Sequence, residues 1–513
     1  MVDALERKPT LSRNIVYSLI GQLGLAILAI ATVHVIFSRM TNEEFGVVMV
    51  SMLWGSILVS AMDLGISTAI VQHLSSKLTR KDSVVDLLRL MSLIYWSLAI
   101  VIIAFFFATG NYLIPLFEHF SGSNSDADIK AAMLIIAGSG LTMPRVMYAA
   151  TLRGCEKFGL ITALDLSLKL TQQLGLIITT IVTGSIYDIA VWVLGSYLLS
   201  TSVYAVAVAR TFSAKSLIPA YNRTTVSEVK TLSNSLILIS ISSLVHVQGD
   251  QAVVSAELPL SQAGFYSSIS QLASRGQALF SSLADASLPA LTRQYTAGGI
   301  DLLRKEYKKV FSVIGFGAIF VYGSIALLAG PILQLVFSKA VESKFAIPLV
   351  LILGGYTLNA LLSPIYLACL ARGIVKRFAW RNVLVVTLTV VAVVFLTKRF
   401  GVLGASYSWL IAGVLGILIT LPKMCEDGLG QRTVDWFILN SKLLPSLLCY
   451  MGLLICIHAV HNIQFAYILL ITFLMGITHL SIWVWVERDN YELNFIKTFR
   501  RNNTLKHVDG KFK

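Results

Sequence analysis

Charge is scarce in this 513-residue chain: Asp, Glu, Lys and Arg together make up 13 % of it, about half the share in soluble proteins. Long polar stretches are missing too, which excludes a folded soluble domain between the apolar runs. The five cysteines, Cys155, Cys369, Cys425, Cys449 and Cys456, form no CxxC and no His/Cys cluster. A disulfide framework or a metal site is therefore not expected, and most of them read as small hydrophobes in or beside apolar runs. No P-loop occurs, so no nucleotide-driven engine is built in. HExxH and GxSxG are absent as well, and no catalytic constellation stands out.

What remains is apolar. Hydrophobic residues make up 56 % of the chain. Runs of about 20 residues recur from end to end, each long enough to cross about 30 Å of hydrocarbon. Fourteen candidate spans cover residues 14–38, 45–71, 87–108, 129–150, 160–182, 189–209, 232–256, 265–285, 310–336, 346–370, 382–396, 403–421, 443–459 and 465–486. The first apolar run, residues 15–37, is too long for a cleavable signal peptide.

The net charge of +14 does not point to nucleic acid, because no recognition module is visible. The basic residues sit in short clusters between spans, the pattern of loops facing the cytoplasm. Arg7, Lys8 and Arg13, the cluster Lys77/Arg80/Lys81, the group Arg372/Lys376/Arg377/Arg381 and the tail after Arg488 fall on one side. Only Arg39, Lys130, Lys339, Lys344, Lys398 and Arg399 fall on the other. The expected orientation puts both termini in the cytoplasm. The longest outer loop, residues 109–128, leaves no room for a catalytic domain outside.

The chain repeats itself at a shift near 218. Thr41-Asn42-Glu43-Glu44-Phe45-Gly46 opens the second span, and Pro259-Leu260-Ser261-Gln262-Ala263-Gly264 opens the eighth. Asp63 and Gln72 recur as Asp285 and Gln294 at a shift of 222, Arg153-Gly154 as Arg372-Gly373 at 219, and Trp192 as Trp409 at 217. The matched spans are six apart. Six is even, so the halves share one topology: two parallel six-helix repeats about an axis along the membrane normal, with the substrate path between them. The last two spans have no counterpart. The expected fold class is an all-α integral membrane protein of about fourteen transmembrane helices. Its expected divisions are residues 1–225 (first lobe), 226–425 (second lobe) and 426–513 (a terminal helix pair with a basic tail).

The middle of the chain carries the polar residues that such a path needs. In residues 236–256, extended to both sides, Ser235, Ser242, His246, Asp250 and Glu257 fall on one helical face. In residues 265–283 and just beyond, Ser267, Gln271, Ser274, Ser281 and Asp285 share a face with Arg275 on its edge. A charge at membrane depth costs about 3 kcal/mol on insertion scales. The two helices are therefore expected to line one polar path.

These residues resemble a known family. Arg39 followed by Thr41-x-x-Glu44-Phe45-Gly46 resembles the first-to-second helix turn of the polysaccharide flippases in the multidrug/oligosaccharidyl-lipid/polysaccharide exporter superfamily. Asp250 followed by Leu260-Ser-Gln-Ala-Gly-Phe-Tyr266 resembles their seventh-to-eighth helix turn. With the topology and the repeat, the resemblance covers nearly the whole chain. It implies a V-shaped, two-lobed cavity in a bacterial inner-membrane protein. It also implies, as for O-antigen flippases, transport of an undecaprenyl-diphosphate-linked oligosaccharide from the inner to the outer leaflet. Glycan polymerase and assembly proteins are the implied partners, a monomer the expected state, and no cofactor is needed beyond a coupling H⁺ or Na⁺. The drug exporters of the superfamily usually have twelve spans and a proline pattern in the first helix. No proline lies between Pro9 and Pro115. A membrane glycan polymerase or ligase would need a substantial outer loop.

On this basis Arg275, Gln271, Ser274, Asn14 and Gln22 are expected to line the cavity, Arg275 as a forked donor for the diphosphate. The competing reading pairs Arg275 with Asp250 or Glu257. Asp250 and His246, one turn apart, are the candidate ion-coupling residues, with no metal site beyond them. Asp63 and Asp285 are candidate gate charges or helix caps. Asp165 and Lys169 read as a structural pair on one face of the fifth span. Arg145 and Arg153 read as residues snorkelling to headgroups. His34, His458 and His479 read as packed or interfacial.

Overall fold

The computed structural model describes residues 11–77, 81–116, 126–221, 223–374, 376–459 and 465–487, in parts of some helices the backbone alone. Asn14, Gln22, Ser235, Asp285 and His458 lie outside the described side chains. Among the described residues every regular element is helical, and nine helices are long and apolar enough to cross a membrane. Each of the fourteen expected segments falls on helix, because two of the longest helices reverse direction within themselves. We number them α1 (Leu11–Arg39), α2 (Asn42–Asp63, continued by Ile66–Lys77), α3 (Lys81–Leu116), α4 (Asp126–Ser139, continued by Thr142–Gly154), α5 (Phe158–Val182), α6 (Ile186–Thr211) and α7 (Arg223–Glu257). The second set is α8 (260–297), α9 (300–327), α10 (Lys339–Ala371), α11 (376–400), α12 (402–429), α13 (Leu444–Ala459) and α14 (Phe465–Glu487).

Glycine makes the reversals. Gly299 (φ 66°) separates α8 from α9, and Gly401 (φ 59°) separates α11 from α12. Both sit in the left-handed region, where other residues pay a steric penalty. Two expected spans are not continuous. α2 breaks at Leu64-Gly65, with φ values of 46° and 79°, and α4 breaks at Gly140-Leu141. Pro144 stands in the first turn of the continuation of α4, where its missing N–H costs nothing. The second halves of α2 and α4 lean on each other: a methyl group on Gly154 would sit 2.7 Å from the Leu74 Cβ.

The core divides at the level of these breaks. One cluster holds the second halves of α2 and α4 against α3 and α6, around Leu74, Tyr95, Met147, Tyr148 and Tyr204. The other joins the first halves of α2 and α4 to α8, α9 and α10. α1 runs along α5, and α7 packs against the α11–α12 pair. α13 and α14 lie against α9.

The two six-helix sets meet most tightly where α2 and α8 begin. Thr41 caps α2: its hydroxyl accepts from the Glu44 N–H at 3.2 Å, and Glu44 Oε2 accepts from the Thr41 N–H at 2.9 Å. This reciprocal cap fixes the entry angle. Phe45 then stacks on Phe265 at 5.3 Å between centroids, and Phe37, Phe337 and Phe345 close the cluster. Gly46 and Gly264 follow, and there backbone meets backbone. A methyl group on Gly264 would lie 2.7 Å from the Gly46 Cα. This end is closed by aromatic rings and main chain.

Candidate substrate cavity and coupling site

The two polar faces expected to line one path part company. Asp250 and His246 turn into the second helix set, whereas Gln271 and Arg275 turn towards α1. The Tyr266 hydroxyl donates to Asp250 Oδ2 at 2.8 Å and holds that carboxylate beside the second helix set.

Around Asp250 the structure builds a small polar chamber. Asp250 is 5 % exposed, and its Oδ1 makes no hydrogen bond of regular geometry. The Trp409 indole and the Gln251 backbone lie beside it. A cavity of about 10 Å³, the size of one water or small cation, borders Asp250, His246, Thr389, Ser408 and Trp409. A second cavity of about 210 Å³ continues from His246 and Trp409 past Asn359, Ser363 and Asn382. His246 is held edge-on to the Trp409 ring at 4.9 Å, and its Nε2 lies 3.5 Å from the Asn359 amide nitrogen. Trp409 is in turn stacked on Tyr356 at 4.1 Å. A carboxylate oxygen, an imidazole and several hydroxyls around one water-sized space can hold a proton or a small monovalent cation. The sequence named Asp250 and His246 but missed Trp409 and Tyr266, which fix the pair in place.

Arg275 is not paired with Asp250 or Glu257. Among the described residues it makes no ion pair, and Glu257 pairs instead with Lys398 at 3.4 Å. Arg275 lines a crevice of about 50 Å³ between α1, α8 and the short helix Ala329–Val336, with Gln271 and Ser268 beside it. Ser274 turns its hydroxyl back to the Gln271 carbonyl at 2.8 Å and does not border this crevice. His34 anchors α1 here, Nδ1 lying 2.9 Å from the Val336 carbonyl oxygen.

Lys169 on α5 lies within electrostatic reach of Arg275, Arg145 and Asp165. The expected Asp165–Lys169 pair is replaced by another. Arg145 reaches Asp165 Oδ1 at 2.8 Å, and the Tyr204 hydroxyl donates to the same oxygen at 2.7 Å. Arg145 therefore does not snorkel: it folds inward over the Tyr204 ring, 5.4 Å from its centroid. Its Nε is buried without an acceptor. Lys169 makes no ion pair among the described residues and has Asp165 only at longer electrostatic range. The result is three cations, Arg145, Lys169 and Arg275, against one carboxylate, contributed by both helix sets. Arg145 lies only five residues from the end of the 129–150 span, so the mid-span argument that singled out Arg275 could not find it.

Asp63 has a structural task. Its Oδ1 accepts from the Tyr95 hydroxyl at 2.5 Å, and its Oδ2 from the Ser67 hydroxyl at 2.7 Å. It thus caps the continuation of α2 across the Leu64-Gly65 break. His479 is buried, as expected, its Nε2 lying 2.9 Å from the Phe316 carbonyl oxygen.

Comparison with known families now decides the kinship. The profile of the family described as "Polysaccharide biosynthesis protein" matches residues 11–294, more than half of the chain. The protein belongs to this polysaccharide biosynthesis protein family. Among solved structures, the lipid II flippase MurJ in an inward closed conformation superposes with a TM-score of 0.69 at 15 % identity, over 92 % of this chain and 99 % of that one. An inward-facing multidrug resistance MATE transporter of the MOP superfamily gives 0.61 at 12 % identity, over 78 % and 96 %. A MOP superfamily transporter from Pyrococcus furiosus gives 0.55 at 12 % identity, over 84 % and 96 %. A search of curated protein sequences finds no match. At these identities the neighbours establish the fold, that of a multi-pass membrane transporter. The resemblance read from the two helix turns agrees with both findings.

Proposed function

We propose that this polysaccharide biosynthesis family member is a flippase. It carries a polyprenyl-diphosphate-linked oligosaccharide across the cytoplasmic membrane by alternating access, for cell-surface polysaccharide synthesis. The observation that carries this reading is the excess of cations where the helix sets meet: among the described residues Arg275 and Lys169 make no ion pair, and Arg145 keeps a buried Nε without an acceptor. Unpaired charge at membrane depth is costly, and it is retained where an anion visits. A diphosphate carries the matching charge, and the guanidinium fork of Arg275 suits its oxygens. The polar glycan needs a wet passage through about 30 Å of hydrocarbon, while the polyprenyl tail stays in lipid.

In this reading the helix sets of residues 1–225 and 226–425 are the two moving lobes, and residues 426–513 are a terminal addition. Both termini are cytoplasmic, by the loop charge bias. The end closed by Phe37, Phe45 and Phe265 then faces outward, so the molecule is captured closed to the outside. Asp250 and His246 take the coupling proton or Na⁺. The chain works as a monomer, is no enzyme, and hands its product to glycan polymerase and assembly proteins.

The second reading, a cation-coupled drug or metabolite antiporter, draws on the Asp250 chamber, which a small-molecule exporter could equally use. The test is reconstitution of the full chain in liposomes. Flipping of a fluorescent polyprenyl-diphosphate glycan, unaffected by lipophilic cations, supports the flippase. Ion-driven efflux of such cations with no glycan flipping overturns it.

A further inference from the structure

A lipid-facing groove outside both sites is lined by the end of α9, the short helix Ala329–Val336, the first three turns of α10, the end of α13 and Ile468 of α14. Its volume is about 680 Å³. Its walls are apolar, and Ile347 and Ile455 at its margin are exposed. The groove has three polar lining residues among those described, Gln334, Lys339 and Glu342, gathered where α10 starts. From Lys339 to Val350, the deepest lining residue of α10, a helix advances about 16 Å. That is about half the thickness of the hydrocarbon core, one leaflet.

Lys339 and Glu342 stand three residues apart on one turn, the spacing at which opposite charges usually meet. Neither makes an ion pair among the described residues. Glu342 leans instead across Gly330, where an added methyl group would lie 3.1 Å from its Oε1. The groove thus presents one cation and one anion side by side at the membrane surface, with an apolar trough one leaflet deep below them.

We infer that this groove is a binding site for one zwitterionic phospholipid of the leaflet at the Phe37–Phe45 end. Lys339 meets its phosphate, Glu342 its ammonium, and the acyl chain lies along Ile347, Val350 and Leu454. A purely anionic lipid gains Lys339 but meets Glu342, and a diphosphate-linked carrier meets it with twice the charge. The lipid fills the seam between α9–α10 and the α13–α14 pair, the part of the chain with no counterpart in the repeat.

The test is native mass spectrometry of the purified full-length protein, titrated with palmitoyl-oleoyl phosphatidylethanolamine or phosphatidylglycerol. One phosphatidylethanolamine should be retained at least about fivefold more strongly than phosphatidylglycerol. Glu342→Gln should abolish that preference, Lys339→Gln should weaken retention of both lipids, and Ala346→Phe, which fills the trough, should remove the bound lipid. Each variant is checked for a monodisperse elution profile. Equal or stronger retention of phosphatidylglycerol by the unaltered protein, or of a polyprenyl diphosphate, overturns the assignment. So does an unchanged preference in a well-folded Glu342→Gln protein.

Discussion

One methyl group placed on Gly46 tests whether the closed end seen here is one of two alternating states. A Cβ at that position would lie 2.5 Å from the Leu260 carbonyl oxygen, 2.6 Å from its carbon and 2.9 Å from the Ser261 nitrogen. All three are backbone atoms of the α7–α8 turn, so no rotamer change relieves the clash. The opposing strand of contact is equally fixed, because Gly264 already sits against the Gly46 Cα. Ordinary contact needs close to 1 Å more room, and overpacking of this kind costs about 1–3 kcal/mol. A cost of about 2 kcal/mol disfavours the closed end about thirtyfold. If the helix sets part here during the cycle, the open state escapes the penalty and the open-to-closed ratio rises by that factor. Spin labels at Glu43 and Lys344, both exposed and on opposite helix sets, report the opening in a background without native cysteines. Gly46→Ala should add or enlarge a longer-distance component, and Gly264→Ala should do the same. An unchanged distance distribution in a variant of unchanged thermal stability would refute the reasoning, since the clash would then have been absorbed locally.

Other expectations concern single interactions. Tyr204→Phe removes one of two donors to Asp165 and should lower thermal stability by about 1 kcal/mol, read from thermal melts of the two proteins. Asp250→Asn should uncouple transport from the ion gradient while flipping down a substrate gradient persists, measured in liposomes with the gradient imposed or collapsed; gradient-dependent flipping in that variant would sink the coupling role. Leu64→Asn replaces a leucine held in the left-handed region and should raise the melting temperature modestly, since the strain there is about 1 kcal/mol. Reporter fusions should place both termini in the cytoplasm and residues 121–125 outside, and an external C-terminus would break the fourteen-helix count.

Much of the fold was legible because membrane spans obey one rule, about 20 apolar residues between polar loops. The turns were legible where chemistry is local: Thr41 and Glu44 read as a helix start and prove to be a reciprocal cap. Their repeat in the eighth span marks the surface on which Gly46 and Gly264 touch, although pattern alone did not reveal that contact. The breaks at Leu64-Gly65 and Gly140-Leu141 were read through as continuous spans, although Asp63 with Gly65 at the first and Gly138-Ser139-Gly140 with Pro144 at the second are local break signals. In the sites, helical spacing placed polar residues on faces but not against partners. Asp165 pairs with Arg145, 20 residues away, and not with Lys169, four away, and Asp250 takes the Tyr266 hydroxyl and not Arg275 as its partner. Such choices depend on which helices become neighbours, which spacing within one helix does not carry.

The central claim is that Arg275 and Lys169, which make no ion pair among the described residues, handle a diphosphate. The direct measurement is glycan flipping per molecule of inserted protein in liposomes, comparing the unaltered chain with Arg275→Ala, Lys169→Ala, the double variant and Arg275→Lys. Loss of a charge-assisted contact worth about 1.5–3 kcal/mol should slow flipping by at least about tenfold in each alanine variant, and further in the double variant. Arg275→Lys should recover part of the rate, a point charge in place of a fork. Undiminished flipping by a correctly inserted double variant would contradict the account.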